Sequence, residues 1–181
     1  MSVKRRNPHP LTCERLEELA LAYVARFATT QAKLRGYLQR KIYERGWDGE
    51  GAPPVDELAA RYAELGYVDD AAWARMKASS LLRRGYGARR VGEALGQAGI
   101  AGELQEDMRP PEIEQRRAAL TMARRRRFGP FAAGVPDRPA RERQLAAMVR
   151  AGHALDIARP ILDASDPDAA EEWVESAFGE E

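Results

Sequence analysis

Arginine is the residue type in this chain best placed to do chemistry, and it comes in clusters. Between Arg75 and Arg90 there are six basic residues and no acid, and between Arg116 and Arg127 six arginines and no acid. From Asp163 to Glu181 there are eight acids and no base. The net charge of +1 conceals this segregation, and charge so unevenly placed points to a partner. A guanidinium grips phosphate and carboxylate through the same forked pair of N–H donors, so the chemistry is anion binding. Arg83, Arg84, Arg89 and Arg90 flank Tyr86, where the start of a following helix would add backbone amides. The run Arg124, Arg125, Arg126 and Arg127 is the second candidate surface. Residue types alone do not separate DNA phosphates from acidic protein loops as the ligand.

Catalysis has few candidates. The two histidines, His9 and His153, form no metal-binding spacing. Cys13 is the only cysteine, which excludes an intrachain disulfide and fits a reducing compartment. Asp69 and Asp70 could pass for a metal or acid–base pair, but helix capping accounts for them more cheaply. Glycines 85, 87, 92, 96 and 99 never line up with a following Lys-Ser/Thr, so no phosphate-binding loop of the Walker type is present. Neither enzyme activity nor a cofactor or metal is expected. With no run of eighteen apolar residues and a polar start, MSVKRRNPHP, the chain reads as cytoplasmic.

The elements that must position these arginines are helices. Alanine, leucine and arginine dominate, aromatics make up 7%, and no alternating β-branched run occurs. After Thr12, Leu16, Leu19, Ala20, Tyr23, Val24 and Phe27 recur at helical spacing. Thr29 or Thr30 caps a second helix with Leu34, Tyr37, Leu38 and Ile42 inward. Pro53-Pro54 opens a third, with Val55, Leu58, Ala59, Tyr62 and Leu65 on one face. Asp69 or Asp70 then caps a helix carrying Trp73, Met76 and Leu81. Gly85-Tyr86-Gly87 links it to another bearing Val91, Ala94, Leu95 and Ala98. Gly92 and Gly96 form a stripe on that helix where a second backbone could approach. A short helix precedes Pro110-Pro111, and three more follow less cleanly, with Pro160 inside the last.

Helix-ending glycines at 46, 99 and 152 are 53 residues apart, as in a tandem repeat. The expected organisation is a flexible basic arm (1–11), three-helix repeats over 12–66, 67–110 and 111–165, and an acidic tail (166–181). The fold class is all-α: about nine helices in an elongated, curved, solenoid-like array.

The ordered set Gly66-Tyr67-Val68-Asp69-Asp70, Trp73-Ala74, Arg84-Gly85-Tyr86-Gly87, Arg89, Val91, Leu95 and Gly99-Ile100 resembles the central repeat of RecX proteins. The likeness runs over roughly 14–165, with a longer first repeat and an apparent insertion at 129–139. What it implies is a non-enzymatic regulator of homologous recombination and the SOS response. Such a protein, expected to be a monomer, would bind the RecA–DNA filament, inhibit its ATPase and strand exchange, and touch bare single- or double-stranded DNA only weakly. The alternative is a stand-alone helix-turn-helix-like DNA-binding protein, although the arginines around Gly85–Gly87 suit phosphate contact better than base readout.

Overall fold

A computed structural model describes residues 9–179, which form ten α-helices and two short 3₁₀ turns, with no strand among them. The all-α expectation holds. The tenth helix comes from the segment read as a tail. The described residues divide into two compact units, 9–73 with 98–100, and 74–97 with 101–179.

In the first unit, the Thr12 side chain accepts the Arg15 amide and starts α1 (Cys13–Val24), which buries Leu16, Ala20 and Val24. The Thr30 hydroxyl accepts the Lys33 amide at the head of α2 (Gln31–Arg45) and donates to the Ala98 carbonyl at 2.6 Å. With α3 (Val55–Glu64), these helices enclose a core that also holds Leu11, Leu34, Leu38, Leu58, Tyr62 and Val68. Asp69 and Asp70 are both caps. Asp69 accepts the Ala72 amide of its own helix at 2.8 Å, and Asp70 accepts the Gln31 amide at the start of α2 at 2.9 Å.

Four expectations need correction here. Residues 1–8 of the expected arm lie outside the described residues, but Leu11 is fully buried. Its amide donates to the Gly46 carbonyl and its carbonyl accepts the Asp48 amide, both at 2.9 Å, so the arm ends in fixed backbone. Phe27 and Leu65, expected inward, are 52% and 62% exposed, each lying at or past a helix end. Met76 is also half exposed, since the buried side of α4 (Asp70–Arg83) is taken by Ala74, Ala78 and Leu81.

The second unit contains the rest of α4, then α5 (Ala88–Gly96), α6 (Glu103–Asp107), α7 (Glu112–Arg126), α8 (Arg138–Arg150), α9 (Leu155–Asp163) and α10 (Pro167–Glu175). Its core gathers Ala119, Met122, Ala123, Met148, Ile157, Ile161, Leu162 and Val174. The described part of the segment read as a tail, 166–179, is therefore no simple tail. The Asp166 carboxylate accepts the Ala169 amide at 2.8 Å to begin α10, and that bond holds its pKa below the ordinary carboxylate value. Arg116, 6% exposed, donates to the Trp173 carbonyl at 2.9 Å and the Ser176 hydroxyl at 3.1 Å, with its guanidinium 4.2 Å from the Trp173 ring centre. A buried, satisfied guanidinium ties α10 to α7 more firmly than its acids foretold. The acids Glu171 and Glu175 pair with Arg124 and Arg117 of α7.

Candidate functional site

The expected anion site surrounds the link Gly85-Tyr86-Gly87, and that link is docked on the turn between α8 and α9. The Gly87 amide donates to the Ala151 carbonyl at 3.0 Å, and the Arg89 amide donates to the Gly152 carbonyl at 3.2 Å. The first amides of α5, which the sequence offered to an anion, are thus partly spent on backbone carbonyls. His153, 4% exposed, bonds the Gly85 carbonyl through Nε2 at 3.0 Å. A carbonyl only accepts, so Nε2 carries the proton, and buried Nδ1 has no hydrogen-bond partner among the described residues.

Burial pushes the His153 pKa below its ordinary value of 6.5, against a smaller opposing effect of the Gly85 bond. A proton entering at Nδ1 would charge a site with no acceptor, so unfolded chains bind protons that folded ones refuse. Stability is then full above the unfolded pKa and falls as pH drops below it. The melting temperature is expected to be lower near pH 5.5 than near pH 7.5, and His153→Gln should flatten that slope. An unchanged slope would place the titration elsewhere.

Beside this docked link lies a groove of about 480 Å³, lined by Arg84, Tyr86, Arg125, Arg126 and Arg150 over Met122 and Ala147, with no carboxylate in its wall among the described residues. The Arg84 guanidinium lies 5.5 Å from the Tyr86 ring centre, and Arg125 reaches across to donate to the Arg84 carbonyl at 2.8 Å. Four guanidinium groups and one aromatic ring share this groove, a combination chemically suited to an anion.

The structure sorts the nine candidate residues. Arg84, Tyr86, Arg125 and Arg126 come together in this groove. Arg83 bonds Ser79 on its own helix at 2.6 Å and lines a different groove. Arg89 donates to the Val149 carbonyl at 2.8 Å and pairs with Glu93, which also holds Arg90 at 3.1 Å. The acid-free stretch thus acquires a neutralising carboxylate from the next turn of α5. Arg124 is paired with Glu171, and Arg127 takes the left-handed cap of α7 at φ 55°. Sequence reasoning missed Arg150. It ends α8 two residues before Gly152, and helix-end arginines likewise precede Gly46 and Gly85. The stripe of Gly92 and Gly96 is met by α6 at one end only. Gln105 donates to the Gly92 carbonyl at 3.0 Å, and nothing stands over Gly96.

Among the described residues, no cluster of histidine, cysteine and acids could hold a metal, and no helix is long and apolar enough to cross a membrane. Fold and surface define an all-α helical protein that displays arginine-lined grooves. The chain matches no family model. It is 31% identical over 169 residues to regulatory protein RecX of Myxococcus xanthus, covering 88% of this chain and 90% of that protein. Regulatory protein RecX of Halorhodospira halophila is 33% identical, covering 86% and 91%. That of Deinococcus radiodurans is 37% identical over 64% of this chain and 55% of its own length. This chain belongs to the RecX family.

Proposed function

We propose that this protein is a non-enzymatic regulator of homologous recombination and the SOS response. It binds the RecA–DNA filament and inhibits ATP hydrolysis and strand exchange, working as a cytoplasmic monomer built from the three repeats read in the sequence. The observation that carries the reading is the likeness to regulatory protein RecX of Myxococcus xanthus over 90% of that protein's length. The acid-free groove of Arg84, Tyr86, Arg125, Arg126 and Arg150 supports it by supplying a face for phosphate on a filament or on bare DNA. Bare DNA contact is weak and insensitive to sequence because backbone phosphates carry no base information.

A helix-turn-helix reading is not favoured. Gly85 and Gly87 are buried, and the start of α5 is bonded to the α8–α9 turn, so that helix end is not presented to base edges. The test is the single-stranded-DNA-dependent ATPase of purified RecA with increasing amounts of this protein. Inhibition is expected at a ratio well below one per recombinase subunit, since repeated contacts raise one another's effective concentration. An ATPase rate unchanged at equimolar protein would overturn the proposal.

A further inference from the structure

Arg83 and Arg84 are neighbours in sequence but line separate grooves, because successive helical residues point about 100° apart. The Arg83 groove, about 570 Å³, lies along α4, the 107–111 link and α7, all within the second unit. Its chemistry differs from that of its neighbour. Ala78, Leu82, Met108, Pro110 and Ala118, buried or half-buried, give it an apolar floor, while arginines 75, 83, 109 and 117, all exposed, form a cationic rim that also carries Asp107 and Glu114. Arg117 is held by Glu175 at 3.1 Å, and Arg83 bonds Ser79.

Phosphate gains nothing from an apolar floor, whereas a peptide that sets an apolar side chain between acids gains from floor and rim together. We propose that this groove is a docking site for a protein segment bearing an aliphatic or aromatic anchor flanked by aspartate or glutamate. Four arginines against Asp107, Glu114 and the Glu175 that holds Arg117 leave the groove net positive, which selects an acidic partner, and the floor selects one with an apolar anchor. Rim charges set association rate and register, and the anchor supplies most of the retained affinity. The inference extends the reading above by giving protein and nucleic acid separate grooves. Its assay contains no recombinase, so the two can fail independently.

The experiment measures fluorescence anisotropy of a labelled peptide with a Leu-Phe anchor between two pairs of glutamates, titrated with the full chain. A tetraglutamate peptide of equal charge and a single-stranded oligonucleotide serve as comparisons. The anchored peptide is expected to bind about tenfold tighter than tetraglutamate. R75E/R109E should weaken it at least tenfold, and R126E/R150E should change it less than twofold. Where R75E/R109E loses helicity, R75Q/R109Q replaces it. Equal binding of the two peptides, no saturable peptide binding, displacement by the oligonucleotide, or loss on R126E/R150E alone would each overturn the proposal.

Discussion

Reversing charge at Arg126 and Arg150 together is expected to raise the concentration needed for half-inhibition of the recombinase ATPase by about a hundredfold or more, with the fold intact. These two side chains are chosen because the groove's other guanidinium groups have structural work. Arg125 holds the Arg84 carbonyl, and Arg84 itself donates to the Ser80 carbonyl at 3.3 Å. Arg126 lies 5.7 Å from the Phe128 ring centre and is exposed, as is Arg150 at the end of α8. A charged hydrogen bond lost at each position costs about 1.5–3 kcal/mol, and repulsion from a new carboxylate adds to it. Arg90→Glu should do less, since Glu93 already neutralises that arginine. Thermal melting within a few degrees of wild type, with inhibition undiminished, would move the contact off this groove.

Gly87→Ala is expected to cost roughly 3 kcal/mol or more of stability, read as a fall in the urea midpoint. A Cβ placed there would stand 2.3 Å from the Gly152 carbonyl carbon and oxygen, which are backbone and cannot swing aside. Gly152→Ala should be comparably severe, because it combines φ +97° with a Cβ only 2.5 Å from the Arg90 amide nitrogen. The two glycines hold the α4–α5 link against the α8–α9 turn, so the same variants should disturb the arginine groove beside it. Gly96→Ala makes the control. It lies in α5 with open space above it and should add about 0.5–1 kcal/mol by lowering the entropy of the unfolded chain. A Gly87→Ala protein as stable as wild type would mean that the two turns are not in contact.

Helix positions were legible because their causes are local. Thr12 and Thr30 cap where their side chains reach an amide three residues on, and the stop glycines need only their own backbone geometry. The aspartate pair was legible as capping, although only the fold showed that Asp70 caps a helix 39 residues earlier in the chain. The family was legible in the ordered residues of the central repeat. Which arginines act together was not. Arg83 and Arg84 separate by helical rotation, Arg89 and Arg90 meet Glu93 one turn later, and Arg124 meets Glu171 from a helix read as tail. Arg150 joins Arg84 across 66 positions of sequence because two glycine turns bring their helix ends together. Capping and periodicity act over a few residues and are written in the chain itself. A groove is made by side chains from separate helices, and only their packing decides which charges share it.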